Sequence, residues 1–298
     1  MARRQRYEHL EPGTRVRKAA RLVLTVATRT TFACLEPALR GEVEAGIHDM
    51  RVNAKQLREG MRLFRPVYRR ESIAPALAEV DALNDHLGLV RDADVLLEHL
   101  AELSEQTGLT ADLQAVVASG RAQHQAALNR VLEQLAGEEF EQRLLTAIAD
   151  ERFGRHHAVA GQACRRFARS AISRRLNRVI NRMEAVKGED DGPGLHRVRV
   201  ANKQLRYAIE PFLTVFDRRL TTAYHRVAEL HSTLGDLHDL DVLAETLTQF
   251  AGSAREQEAA PLLEEVEETR RREYGRAFTF FGEESDTTFV RLVADAID

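Results

Sequence analysis

The sequence has no tryptophan, and aromatic residues fill only 6% of its 298 positions. That poverty argues against a surface built on stacking nucleobases. Only two cysteines occur, Cys34 and Cys164, so neither a disulfide framework nor a cysteine-based metal site is available. No stretch longer than nine residues is free of Asp, Glu, Lys and Arg. A membrane-spanning helix needs about 20 apolar residues, so no membrane partner is expected. The first ten residues are basic with no apolar run behind them, unlike a secretory signal, and the chain is expected in the cytosol. Seven prolines are few for this length and favour long helices. Neither sign of charge dominates, since 43 basic residues stand against 46 acidic ones. Lysine is scarce: Lys18, Lys55, Lys187 and Lys203 are the only four among the basic residues. A GC-rich genome accounts for the arginine excess but says nothing about where those lysines sit.

What is present is helical periodicity and a core's worth of apolar residues, 44% of the chain. Apolar positions recur at three and four residues between sparse marks such as Ser72/Pro75, Thr107/Gly108 and Gly188/Gly192/Pro193/Gly194. The spacing predicts helices near 14–40, 47–70, 75–106, 110–150, 157–187, 195–216, 218–250 and 255–280, with a short piece after 285. The fold class is therefore all-α, with eight long antiparallel helices in two four-helix units. Internal similarity supports that division. His48-Asp-Met-Arg-Val-Asn-Ala-Lys-Gln-Leu-Arg58 aligns with His196-Arg-Val-Arg-Val-Ala-Asn-Lys-Gln-Leu-Arg206, identical at seven of eleven positions. Leu87-Gly-Leu-Val-Arg-Asp-Ala-Asp-Val-Leu96 aligns with Leu234-Gly-Asp-Leu-His-Asp-Leu-Asp-Val-Leu243 at six of ten. The offsets, 148 and 147, agree. The chain reads as a tandem duplication: a basic tail over 1–11, repeat 1 over about 12–153 and repeat 2 over about 154–298.

His48, Arg51, Lys55, Arg58, Arg62, Arg65 and Arg69 follow alternating spacings of three and four. On a helix these side chains fall within an arc of about 80°, bordering the apolar set Met50, Leu57, Met61, Phe64 and Tyr68. Residues 48–70 hold seven Arg/Lys and only two acids, Asp49 and Glu59. Like charges at these spacings repel by a few tenths of a kcal/mol per pair, so compensation is expected from acids on a neighbouring helix or from a bound polyanion. His196, Arg199, Lys203 and Arg206 repeat the first two turns, while Glu210 and Leu213 replace Arg62 and Arg65. Arg175, Arg178 and Arg182 add a basic face on the preceding helix. Local polarity on a nearly neutral chain favours an anionic partner.

The repeated Asp92/Asp94 and Asp239/Asp241 read as structural residues that cap helix starts or pair with arginines across the bundle, in preference to a catalytic or metal-binding role. No Glu-x-x-His pair occurs among the eleven histidines, and there is no Walker loop, Gly-x-Ser-x-Gly turn or zinc spacing. The His48-Asp49 and His238-Asp239 pairs, suggestive of metal-dependent phosphohydrolases, are each lost in the other repeat. No catalytic residue, metal or cofactor is expected.

With both motifs duplicated, the sequence resembles a stand-alone CHAD domain, the conserved histidine α-helical domain. The resemblance implies two four-helix bundles related by pseudo-two-fold symmetry and a basic groove or pore between them that binds inorganic polyphosphate. Polyphosphate granules follow as a further partner. Carried over by position, it implies His48, Arg51, Lys55, Arg58, His196, Arg199, Lys203 and Arg206 as anion ligands. The Glu-x-Glu-x-Lys motif of the triphosphate-hydrolysing domain that often accompanies this family is absent. Nucleic-acid backbone binding and an internally paired helical scaffold are the competing readings.

Overall fold

The structure is a computed structural model that describes residues 10–103, 107–150, 157–281 and 283–298. Most of the expected basic tail, and the 153/154 repeat boundary, lie outside the described residues. The described residues form twelve α-helices and no strand; a single antiparallel bridge joins Arg15 to Ala163. In chain order these are α1 (Val16–Phe32), α2 (Leu35–Leu39), α3 (Asp49–Phe64), α4 (Arg70–Glu102), α5 (Gly108–Gly137), α6 (Phe140–Ala149), α7 (His157–Ala160), α8 (Cys164–Met183), α9 (Gly192–Ile209), α10 (Arg218–Ala251), α11 (Glu256–Phe278) and α12 (Glu283–Ile297). No helix among them is long and apolar enough to cross a membrane.

Several expected boundaries move, each for a local reason. The helix expected over 14–40 divides at Ala33–Cys34, and Val43–His48 forms a π-helical turn leading into α3. Gly46 in that turn has no room for a side chain, because a Cβ there would meet the Pro37 carbonyl carbon at 2.6 Å. The segment 110–150 becomes two helices because Glu139 takes a left-handed conformation, φ 51°. Helix α4 starts at Arg70 and runs through Pro75, which sequence reading takes as a break. Near a helix start, proline removes one backbone bond, and the rest of this 33-residue helix is packed. Thr107 caps α5 with a reciprocal pair of bonds to Thr110, and Asp191 caps α9 by accepting from the Gly194 amide.

The helices of residues 16–149 and 164–297 follow a similar order and similar packing partners, compatible with a tandem duplication. They share one core: Phe64 stacks on Phe167 at 5.6 Å, and Phe212 meets both edge-on. A second core joins the far ends of α4 and α5 to those of α10 and α11 through Leu100, Leu109, Leu113, Leu243, Leu247 and Leu262. Helices α3 and α9 pack directly on each other, and α4 packs on α10. That arrangement sets the two basic stripes side by side.

Candidate functional site: a cation cluster between two basic helices

On α3 the buried residues Met50, Ala54, Leu57, Met61 and Phe64 hold one face in the core. On α9, Leu195, Val198, Asn202, Leu205 and Ile209 do the same. The stripes run along the border of those faces. Arg51, Lys55, Arg58, Arg199, Lys203 and Arg206 are all partly buried. Lys55 lies in the field of Arg51 on its own helix and of Lys203 and Arg199 on α9. Lys203 in turn faces Arg58, Arg199 and Arg62, with Glu59 as a partial offset. Burial, reinforced by those cations and only partly offset by Asp92, lowers the Lys55 ammonium to a pKa of about 7. Burial lowers Lys203 too.

Internal pairing is uneven. Arg51 Nη1 donates to Asp92 Oδ1 at 2.7 Å and to the Gly88 carbonyl at 3.1 Å. Arg62 donates to Glu59 at 3.2 Å and Asp81 at 2.8 Å, and Arg58 Nε lies 3.5 Å and 3.8 Å from the same two carboxylates. Lys55, Arg199, Lys203 and Arg206, by contrast, form no ion pair with any described residue. The Nε groups of Arg51, Arg58, Arg199 and Arg206 are buried without a hydrogen-bond partner among the described residues. These are two pairs of equivalent positions, 51 with 199 and 58 with 206. A buried donor without an acceptor costs about 1–3 kcal/mol.

The remaining expected residues lie around this cluster. His48 ends the π-helical turn at the head of α3. His196 is largely exposed, 5.1 Å ring to ring from His238, and the partial desolvation of its ring, then His238 and Arg199, hold its pKa below the usual imidazole value. It therefore gains charge only in more acid solution than an ordinary histidine. Arg175 faces buried Glu59, and Arg178 donates to Gln204 of α9 at 3.0 Å. Arg65 and Arg182 are exposed, and no described ion pair or hydrogen bond ties their side chains to the cluster. The stripe of the second half stops early because α9 ends at Ile209. Glu210 there is buried and accepts from Gln56 at 2.9 Å, and Leu213 joins the core.

Asp92, Asp94, Asp239 and Asp241 sit in the middle of α4 and α10, so they cap no helix start; that half of the expectation is corrected. Their motif is a helical face with no chain break, and Asp92, Asp94 and Asp241 pair with arginines, while Asp239 forms no ion pair among the described residues. Asp94 accepts from Arg121 Nε and Asp241 from Arg270 Nε, both at 2.7 Å. The same guanidinium groups reach back to the carbonyls of Gly41 (3.5 Å) and Glu189 (3.1 Å), in the loops before the two stripe helices. Each half thus has an Asp–Arg–carbonyl clamp that ties its stripe helix to its long helix. Nothing in the sequence singles out Arg121 or Arg270 from the other arginines. No three His, Cys, Asp or Glu side chains among the described residues are placed to hold a metal.

Sequence reading also missed His231 on α10, although it aligns with Asn84 and so marks a repeated polar position. Asn84 donates to the Ala54 and Val80 carbonyls, whereas His231 Nδ1 is buried with no hydrogen-bond partner among the described residues. Burial, then Arg206, Arg199, Lys203 and Lys55, push its pKa down to about 3. Between about pH 6.5 and 3 the unfolded chain binds a proton here that the folded chain does not, so stability falls with acidification across that window. We expect a loss of about 2 kcal/mol from this group between pH 6 and 4, and His231→Asn to flatten that limb. Melting curves at stepped pH check it; an unchanged acid limb in the variant would contradict it.

These features define an all-helical protein whose two halves bring basic helices together around one cluster of cations. The chain belongs to the CHAD domain family, which matches residues 23–248. Its fold is similar to the crystal structure of the CHAD domain from the plant Ricinus communis, with TM-score 0.66 and 20% identity over 97% of this chain and 93% of that one. It is also similar to PptA from Streptomyces chartreusis, with TM-score 0.62 and 18% identity over 90% of this chain and 98% of that one. A curated relative, the uncharacterized protein Rv2226 of Mycobacterium tuberculosis, is 26% identical over 230 residues. That match covers 73% of this chain and 42% of the relative, so the chain spans less than half of the relative's length.

Proposed function

We propose that the protein binds inorganic polyphosphate, free or in granules, along the basic surface where α3 and α9 meet, in the cytosol, without turning it over. The observation that carries this reading is the group of partly buried cations, Lys55, Arg199, Lys203 and Arg206, none of which forms an ion pair with a described carboxylate. A linear polyanion supplies one acceptor-rich charge per phosphate, and guanidinium forks can hold its oxygens while lysines act as point charges. His48, Arg58, Arg62, Arg175 and Arg178 extend the surface; Arg65 and Arg182 belong to its outer rim. Rigid helices fix these donors beforehand, which lowers the ordering cost of binding. Tyr207 lies beneath Arg206 at 4.6 Å and is buried, which leaves it unsuited to stacking on a base. Competition among polyphosphate, RNA and DNA at one salt concentration tests the reading. Polyphosphate should win, with no phosphate released above a buffer blank; preference for RNA or DNA, or stripe-dependent phosphate release, would overturn it.

Binding should be linked to protons. With a pKa of about 7, Lys55 is half protonated at neutral pH in the free protein, and a bound polyanion favours its charged form. Affinity should therefore fall as pH rises from 7 towards 9, by up to about tenfold per unit. Titration calorimetry at pH 7 in buffers of different protonation enthalpy should register proton uptake, and Lys55→Arg should abolish most of it. Equal apparent enthalpies in all buffers would rule the linkage out.

A further inference from the structure

A cavity of about 180 Å³ lies between α4 and α10, at one end of the cation cluster. Arg51 and Arg199, equivalent residues of the two stripes, both line it, and each has a buried Nε without an acceptor among the described residues. Asp92 and Asp239, also equivalent, line it from the two long helices, with His99 and His238 beside them and Val95 and Val242 on the wall. Past His99 the surface changes sign: a neighbouring cleft is lined by Glu102, Asp236, Glu265 and Glu273. Burial, then Glu273 and Asp239, raise the Asp236 carboxyl above its usual value, as expected where carboxylates crowd. A polyanion lying along the stripes therefore meets attraction as far as Arg51 and Arg199 and repulsion beyond them.

The chemistry of the cavity differs from that of the rest of the cluster because it mixes arginines with carboxylates. An interior phosphate of a linear chain has one acidic oxygen, ionised at neutral pH, and no hydroxyl to donate. A terminal phosphate has a second proton that leaves near neutrality, as in a phosphate monoester at about pH 6. Such a hydroxyl can donate to a carboxylate while the other oxygens accept from guanidinium groups. A carboxylate beside an interior phosphate would only repel it.

We propose that this cavity is an end pocket: it takes the terminal phosphate of a linear polyphosphate, with Arg51 and Arg199 on its oxygens and Asp92 or Asp239 accepting its hydroxyl. The inference rests on the polyphosphate reading above and adds that the chain is held by its end. Arg51 exchanges its 2.7 Å bond to Asp92 for the phosphate, which leaves that carboxylate open to the hydroxyl.

The test compares free-ended linear polyphosphate with the same chains carrying both terminal phosphates blocked as methyl esters, which leave no hydroxyl to donate, and with cyclic metaphosphate. Blocking the ends should weaken binding by about tenfold or more, the worth of a charge-assisted hydrogen bond. The gap should be wider at pH 6 than at pH 8.5, where the terminal hydroxyl is lost. In the Asp92→Asn/Asp239→Asn double variant the ratio of free to blocked affinity should fall towards one. The Asp92 side chain is 69% exposed, so asparagine is readily accommodated there. Equal affinity of the unaltered protein for blocked and free chains overturns the end pocket while leaving polyphosphate binding intact, as does a double variant that keeps the full ratio. Failure to bind either chain overturns the polyphosphate reading and the end pocket with it.

Discussion

Replacing Lys55 and Lys203 together by glutamate should raise the dissociation constant for long-chain polyphosphate about a thousandfold at physiological salt. Each reversal removes a positive point charge and sets a carboxylate against the phosphates, and such like-charge contacts cost several kcal/mol. The two lysines are also neighbours in space, on facing helices, so both changes act on one stretch of ligand. The slope of log affinity against log salt should flatten by roughly one to two units, because fewer condensed counterions are released. Ligand-free stability should hold or rise. The new carboxylates fall among Arg51, Arg199 and Arg58, where repulsion between cations is relieved. Melting curves with and without polyphosphate separate the two effects, since a ligand that binds only the folded state raises the midpoint by mass action. A variant that keeps both its affinity and its salt slope would show that these helices are not the contact surface.

Arg121→Met should lower stability by about 3 kcal/mol, seen as a fall in Tm of roughly 6–12 °C. Asp94 is only 6% exposed, and its Oδ2 already has no hydrogen-bond partner among the described residues. Without the Arg121 guanidinium it becomes a buried carboxylate with no countercharge. The equivalent change, Arg270→Met, should cost less, because the Asp241 side chain is 37% exposed and water can take over. Asp94→Asn combined with Arg121→Met should cost less than the sum of the single changes, because removing both charges leaves nothing stranded. In each folded variant the rise in Tm on adding polyphosphate should persist. An Arg121→Met protein melting within a degree of the parent would show that the clamp contributes little, and loss of the ligand-induced rise would place the acidic residues in the site.

The repeat of His48–Arg58 at His196–Arg206 was legible because binding stripes and core faces both follow helical periodicity, which a linear pattern displays directly. Arg51, Lys55, Arg199 and Lys203 could be named from that pattern and do meet in space. The acidic motif was legible as a repeat but misplaced at a helix start. Spacing alone does not reveal whether an Asp-x-Asp lies at a terminus or in the middle of a 33-residue helix whose proline lies near its start. Arg121 and Arg270 were invisible for a different reason: their partners lie 27 and 29 residues away, on another helix.

By itself the sequence determined an all-helical chain and the composition of both stripes, because each depends on residue type at fixed local spacing. Only the tertiary structure decided which cations remain without a carboxylate. Arg51 and Arg62 find Asp92 and Asp81 on α4, whereas Lys55 and Lys203 form no ion pair among the described residues and lie mainly among other cations, with Asp92 and Glu59 only partial offsets. It also decided that Lys55 titrates near neutrality and that His231 stays neutral well below its usual range. The reason is that desolvation and the field of other charges depend on distances between helices, and no local spacing along one helix contains them.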